Sequence, residues 1–366
     1  MATCIHVGES DALHARARAF VTAFERGAPM PESFDALASD LARFQGKHVV
    51  GYARLAAARG VDLASVRRAV DAPAVPTDAF KLARVSAFPE EQTKVTFRTS
   101  GTTVGQRGEH HFRTTGTYDR GAVAFAKAAL LFELPAPLPV LVVGPSPAEM
   151  PDSSLTHMIE LFVRTLGLPA TAAQTYFVQG EVIDLAAFDE RVSRLLAEGR
   201  EGALVLGTSF AFVHLLDALG EDTFRLPARS RVMQTGGFKG RSREVDGDVL
   251  RRDIARAFDL DERDVRSEYG MTELSSQFYD RPTPAGRVYV EPPWARVVPV
   301  DPETLAPVAD GDVGIARIED LANVDSAFAV VTADRVRRVE GGFQLLGRVP
   351  GAAPRGCSIA IDELLA

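Results

Sequence analysis

The sequence predicts an α/β fold: a mainly parallel, helix-covered sheet followed by a small C-terminal antiparallel β subdomain. Three observations predict it. Between about residues 94 and 270, short β-branched runs (KVTFRT, LPVLVVG, ALVLG and SRVMQTGG) alternate with helical segments 117–133, 153–166, 184–198 and 246–258. Such alternation builds a parallel sheet covered on both faces. After about residue 284, strands follow one another with little helix, as RVYVEP, ARVVPV, DVGIARIED, SAFAVVTADRV and GGFQLLGRV, which suggests a small antiparallel sheet or barrel. Ahead of both, residues 9 to about 60 place apolar side chains every three or four positions, the helical spacing, with breaks at Gly27-Ala28-Pro29 and Gly46.

These stretches suggest three blocks: an N-terminal helical region (1–90), an α/β core (91–283) and a β-rich C-terminal subdomain (284–366), with a proline- and aspartate-rich linker around Asp71 to Asp78. A chain of 366 residues can bury a large core. Its net charge of −8, without a lysine-arginine cluster, argues against nucleic acid or a lipid surface as partner. The longest apolar region, AVAFAKAALLFELPAPLPVLVVG, is broken by Lys127, Glu133 and three prolines, so no membrane span is expected. The start lacks the basic-then-apolar order of a signal peptide, and only Cys4 and Cys357 could pair, so the expected compartment is a reducing cytoplasm.

Ligands of open α/β sheets lie beyond the carboxyl ends of the strands, so the loops there carry the chemistry. FRTSGTTVGQRGEHH (97–111) follows the strand KVTFRT and is expected to lead towards the helix at Tyr118. Thr99, Ser100, Thr102 and Thr103 offer hydroxyl donors, and Gly101 lets the backbone approach an anion. The nucleotide loops G-x-x-x-x-G-K-[ST] and G-x-G-x-x-G are absent, so on residues alone this is a phosphate cradle or a polar turn. In SEYGMTELSSQFYD (267–280), a strand end and a glycine precede Thr272 and Glu273. That would place a carboxylate where a hard, phosphate-bound cation takes oxygen ligands; YGMTE alone also reads as a helix start capped by Thr272. His110 and His111 read as part of a polar turn lacking the further ligands of a metal site. His157, near the start of SSLTHMIELFVRTLG, lines an acyl pocket or packs among polar neighbours, with Ser153 or Ser154 capping the helix.

TSGTT and YGMTE, in this order, resemble the adenylate-forming superfamily of acyl-CoA synthetases, nonribosomal-peptide adenylation domains and luciferases, whose signatures include TSGTTG-x-P-K and YGxTE. The resemblance implies that superfamily's large-domain fold, with ATP and Mg²⁺ as cofactors. Matched position by position, it puts Thr99, Ser100, Gly101, Thr102 and Thr103 at the phosphates and Glu273 at Mg²⁺. It puts Gly236 and Gly237 of VMQTGGFKG at the adenine, with Tyr269, Gly270, Met271 and Thr272 at the nucleotide. Asp334 of VTADRV would meet the ribose and Arg348 of LLGRV the phosphate or ribose, while His157, Thr208 and Ser209 would contact the acid. The sequence departs from the pattern where VGQRG replaces Gly-x-Pro-Lys, which leaves Arg107 as the nearest cation, and guanidinium is not interchangeable with ammonium. It also ends shortly after the Gly-Arg hinge, so the lid domain and its catalytic lysine are expected to be absent.

A narrower resemblance rests on SSLTHM (153–158), GRSRE (240–244), SEYGMTELSSQFYD and the terminal GRVPGAAPRGCSIAIDELL. These look like the acyl-protein synthetases of bacterial bioluminescence operons (the LuxE type), to which short adenylating enzymes of phenazine-type secondary metabolism are related. The resemblance implies that a fatty or aryl acid becomes an acyl-adenylate, moves to a cysteine near the C-terminus, here Cys357, and passes to a partner protein such as a reductase. On residues alone Cys357 reads equally as a small buried side chain in a terminal strand, with Arg355 as the charge available to lower its pKa. Two rival readings stand beside this one: a ligase that hands the acyl group to coenzyme A, a carrier protein or an amine, and a non-catalytic nucleotide- or acyl-binding protein.

Overall fold

The computed structural model describes residues 2–100, 106–180, 182–236, 246–284, 286–349 and 354–366. The chain opens with helices α1 (Ala2–Glu25), α2 (Phe34–His48) and α3 (Val50–Ala58). Ser33 caps α2 by accepting the Ala36 N–H at 3.1 Å, and Asp35 in its first turn and Lys47 and His48 in its last complement the helix dipole. The helix runs on through Gly46, where the sequence suggests a break. A Cβ there would stand 2.2 Å from Leu63 Cδ1, so this glycine serves close packing, and the chain turns at Val49 instead.

Next come β1 (Val75–Pro76), α4 (Ala79–Leu82), β2 (Val95–Arg98), β3 (Glu109–Phe112) and α5 (Gly116–Phe125), the last continued by a π-helical turn over Ala126–Leu130. The middle of the chain supplies β4 (Val140–Val143), α6 (Ser154–Leu166), β5 (Val178–Gln179), β6 (Val182–Ile183), α7 (Leu185–Ala197), β7 (Leu204–Thr208), α8 (Ser209–Leu219), β8 (Arg231–Thr235), α9 (Gly247–Ala257), β9 (Val265–Tyr269) and β10 (Phe278–Thr283). The C-terminal part adds β11 (Gly286–Val290), β12 (Ala295–Val300), β13 (Val313–Asp320), β14 (Ala329–Val339), β15 (Gly342–Arg348) and α10 (Arg355–Leu365). Among the described residues, no helix is long and apolar enough to cross a membrane.

Contacts group the chain into two units. The first comprises 1–124, 271–277 and 286–366; the second comprises 125–270 and 278–285. In the second unit β4, β7, β8 and β9 lie side by side and parallel, with β10 antiparallel to β9. Their near-continuous apolar runs suit strands buried on both faces. On one face Leu141, Val143, Val205, Val232 and Val265 pack against Phe188, Phe212, Ile254 and Phe258 from the helices and their ends. This is the mainly parallel, helix-covered sheet that the alternation predicts.

In the first unit β12, β13, β14, β15 and β11 form an antiparallel sheet in that order, and β1 adds in parallel to β14. The N-terminal helices pack with it. Phe24 of α1 meets Trp294 edge-on, ring centroids 5.6 Å apart. The buried Gln45 of α2 donates to the carbonyls of Asn323 and Val324 at 2.8 and 3.0 Å and accepts the Phe328 N–H at 3.0 Å. A buried side-chain amide satisfied on both ends fixes α2 against this loop.

Two elements differ from the sequence reading. KVTFRT is not a strand of the large sheet: β2 pairs antiparallel with β3, Val95 opposite Phe112 and Arg98 opposite Glu109, in a separate two-stranded ribbon. The segment between them is therefore a hairpin connection and not a strand-to-helix loop. The terminal segment is a helix and not a strand: Cys357, Ala360 and Leu364 are buried, a spacing of three and four that suits α10.

Candidate active site

In the first unit the hairpin connection starts from a fixed base. Thr99 donates its N–H to the Gly108 carbonyl at 2.9 Å, and its hydroxyl accepts the Gly108 N–H at 2.9 Å. Arg107, the proposed stand-in for a phosphate-loop lysine, turns inward: its Nε donates to the Thr99 carbonyl at 2.6 Å and its Nη2 to the Arg98 carbonyl at 3.3 Å. In this arrangement the guanidinium shapes the loop. Ser100 follows, exposed. Gly101, Thr102 and Thr103, and Gly237 in the second unit, lie outside the described residues.

His110 links this hairpin to the YGMTE segment. It sits buried in β3, not in a polar turn, with its ring 4.2 Å from that of Phe112. Its Nδ1 lies 2.8 Å from the Thr272 carbonyl, which only an N–H can satisfy, so Nδ1 carries the proton. Burial lowers the pKa of this imidazole to about 4, so it is neutral at physiological pH. His111, also buried in the strand, meets Thr96 Oγ1 at 3.0 Å. Adjacent histidines of a strand point to opposite faces, and both faces of β3 are covered.

Beyond Thr272 the chain is irregular, and Glu273 is buried. Residues far along the sequence hold it there. Asn323 donates to the Glu273 carbonyl at 2.8 Å and to the Ala327 carbonyl at 3.1 Å, while its Oδ1 accepts from Ser275 Oγ at 2.6 Å. Asp320 accepts the Ser275 N–H at 2.9 Å, Ser276 Oγ at 2.7 Å and the Ala322 N–H at 2.9 Å. Burial raises its pKa to about 6 despite these donors. Asp334 and Arg348 also come together: they face each other across β14 and β15, with Nε 3.7 Å from Oδ1. Gly347 just before has φ +79°, a conformation that favours glycine. Among the described residues no cluster of three or more metal-ligating side chains occurs.

Cys357 lies in the first full turn of α10, buried. Burial, followed by the charge of Asp78, pushes its thiol up to about 11, and Arg59 opposes them. The charges acting on it are thus Asp78 and Arg59, not the Arg355 singled out from the sequence.

In the second unit the carboxyl ends of β7, β8 and β9 bring together Thr208, Ser209, Gly236, Tyr269 and Gly270. Thr208 Oγ1 caps α8 by accepting the Ala211 N–H at 3.0 Å. Ser209 Oγ lies 2.7 Å from Gln234 Oε1 and 2.8 Å from the carbonyl of Gly236, whose φ is +77°. Both hydroxyls, expected at the acid, thus hold the ends of strands and helices. Tyr269 is buried with its ring 6.0 Å from Phe278. His157 sits half-buried in the first turn of α6, which Ser153 caps.

One acidic residue here escaped the sequence reading. Glu268 is buried and accepts a hydrogen bond from Thr235 Oγ1, its partner in register on β8. Burial raises its carboxyl to about 7, against the lowering effect of Thr235. A Cβ at Gly270 would stand 2.4 Å from Glu268 Oε1, so the glycine of YGMTE makes room for this side chain. The available signal was an acid at the strand end that precedes the glycine of YGMTE.

The family model described as acyl-protein synthetase, LuxE, matches residues 7–366. A long-chain-fatty-acid–luciferin-component ligase of Aliivibrio fischeri is 24% identical over 314 residues, 80% of this chain and 78% of that protein. The protein of the same name from Vibrio harveyi is 22% identical over 308 residues, with the same coverage of 80% and 78%. Among solved structures, an open conformation of 2-hydroxyisobutyryl-CoA ligase, in complex with 2-HIB-AMP and CoA, superposes with a TM-score of 0.61 at 14% identity, covering 88% of this chain and 76% of that one. That likeness shows a shared fold.

Proposed function

The chain belongs to the LuxE acyl-protein synthetase family, and from that premise we propose that it activates a carboxylic acid with ATP and passes the acyl group to a thiol. The match over residues 7–366 carries this reading, because it includes every segment singled out above. The name of the two bacterial relatives points to a fatty acid, and an aryl acid fits the same chemistry.

In the first step a carboxylate oxygen attacks the α-phosphorus of ATP, and the bond to the β-phosphate breaks. Pyrophosphate leaves, and the acyl-adenylate remains. Two anions must meet, so the protein's work is alignment and charge neutralisation. Ser100, Thr102 and Thr103 would hold phosphate oxygens, with Thr99 and Arg107 setting the loop. Gly236, Gly237 and Tyr269 would place the base, Asp334 with Arg348 the ribose, and His157 the acid. Mg²⁺ in nucleotide sites uses one or two carboxylates plus phosphate oxygens, a donor set that Glu273 fits; bound there, the ion would screen phosphate charge. In the second step a thiolate attacks the acyl carbonyl, a C–S bond forms, and the C–O bond to AMP breaks.

Exchange of labelled pyrophosphate into ATP, dependent on an added carboxylic acid, tests this reading. Exchange with any member of an acid panel supports it; its absence across fatty and aryl acids favours a binding protein. The buried, weakly acidic thiol of Cys357 also favours a second reading, transfer to an external acceptor such as coenzyme A or a carrier protein. Hydroxylamine-sensitive labelling by radioactive acid, present in wild type and lost in Cys357→Ser, separates the two.

A further inference from the structure

The second unit holds a buried carboxyl with no role in either reaction step. Glu268 is 7% exposed, and its Oε2 accepts from Thr235 Oγ1. Among the described residues, its Oε1 accepts no hydrogen bond and no cation pairs with either oxygen. The side chain reaches towards the carboxyl end of its strand, since Oε1 would stand 2.4 Å from a Cβ on Gly270. A largely buried carboxyl with one oxygen unmatched is costly, and a ligand that donates to that oxygen removes the cost.

Sheet geometry sets which side of the strands this oxygen serves. Val232 and Val265 face the core that Phe188 of α7, Phe212 of α8 and Ile254 of α9 complete. Side chains alternate along a strand, so Thr235 and Glu268, each three residues further on and in register with one another, face the opposite side. Tyr269, assigned above to the base, alternates back to the first side. Helix α6 lies on the side of Glu268: a Cβ on Gly167, which ends that helix, would stand 3.1 Å from Val140 Cγ2, and the neighbouring Leu141 faces the α7–α9 core. The chain passes from β4 to α6 across the carboxyl end of the sheet, so the first turn of α6, which carries His157, stands at the rim where Glu268 ends. Glu268 thus shares the side assigned to the acid, and all these groups belong to the second unit.

We propose that Glu268 is a specificity-determining residue for the acid and selects acids whose body carries an O–H or N–H donor, a hydroxyl or amino substituent, over plain hydrocarbon acids. The proposal rests on the acid-activation reading and narrows its substrate class. Thr235 holds Oε2, and the substituent donates to Oε1. An unsubstituted acid strips water from that oxygen and returns no hydrogen bond, which is how a site built around a polar group rejects an analogue lacking its partner.

The test uses the full chain and matched acids: benzoate against each hydroxybenzoate and aminobenzoate isomer, and octanoate against its 3-hydroxy and 8-hydroxy derivatives. Calorimetry gives Kd, and acid-dependent pyrophosphate exchange gives kcat/KM. At least one substituted acid is expected to exceed its parent by about tenfold or more in both. Glu268→Gln retains an oxygen acceptor and should keep much of that preference, whereas Glu268→Leu should erase it, chiefly by improving the parent acid; a merely structural role would change all acids alike. Should Glu268→Leu not fold, Thr235→Val, which removes the bond that orients the carboxyl, is expected to shrink the preference instead. Parents that match or exceed every derivative in wild type overturn the proposal, as does a preference unchanged in Glu268→Leu or, where that variant does not fold, in Thr235→Val. Binding preference without exchange retains this role for Glu268 and removes the acid-activation reading; exchange without preference does the reverse; neither binding nor exchange removes both.

Discussion

Glu268 gives the residue scale its clearest signature. Its folded pKa, raised by burial from 4.5 to about 7, lies above the unfolded value. The stability it contributes is therefore complete below about 4.5 and is lost as pH rises through about 7. Urea denaturation of the wild type between these limits should show stability falling by on the order of 3 kcal/mol from this group. Glu268→Gln should flatten that slope; equal slopes in both proteins would show that burial does not govern this carboxyl. Asp320 acts with the same sign in a lower window, up to about 6, whereas buried His110, lowered from 6.5 to about 4, acts with the opposite sign, so both shape the slope left in the variant. Glu273 makes a different expectation. Glu273→Gln keeps size and loses the charge that favours Mg²⁺, so exchange should fall and need more magnesium. An unchanged magnesium titration would remove Glu273 from the metal's surroundings. Glu273 was legible because a motif surrounds it. Glu268, five residues earlier, was not, because nothing local says that Thr235 and Gly270 close around it.

Elements show where sequence reading succeeds and where it stops. VLVV and LVLG announce buried parallel strands because both faces are apolar, and β4 and β7 are buried throughout except at Thr208. The β2–β3 ribbon was missed because its pairing joins segments across a loop whose length gives no turn signal. α10 was read as a strand although its 357, 360, 364 spacing is helical. His110 looked like a surface turn because its partners, Phe112 apart, come from Phe80 and Thr272, which only the fold brings near. That contact predicts a graded outcome. His110→Phe leaves the Thr272 carbonyl without its donor and should cost about 1–3 kcal/mol, whereas His110→Asn, with a donor near the Nδ1 position, should recover part of that. Chemical denaturation of both variants checks it, and equal stability would mean that the hairpin does not depend on this bond. If His110 also positions the YGMTE segment, the KM for ATP in exchange should rise in His110→Phe and recover in His110→Asn.

For the whole molecule, the first unit alone gathers the base of the TSGTT loop, Glu273, the Asp334–Arg348 pair and Cys357, although these span residues 99 to 357. The strand ends at Gly236, Tyr269 and Glu268 belong to the second unit. Order along the chain made the motifs recognisable; the supporting residues Gln45, Asp320 and Asn323 were invisible because their partners lie far away in sequence. The central claim is that a carboxylate oxygen of the acid attacks the α-phosphate of ATP. It is tested most directly with an acid labelled with ¹⁸O in its carboxylate, ATP and magnesium, with hydroxylamine to trap the acyl group, followed by mass spectrometry of the nucleotide product. The account predicts AMP carrying one ¹⁸O atom on its phosphate, because the C–O bond breaks when the acyl group departs. AMP without the label, or ADP as the nucleotide product, would contradict it.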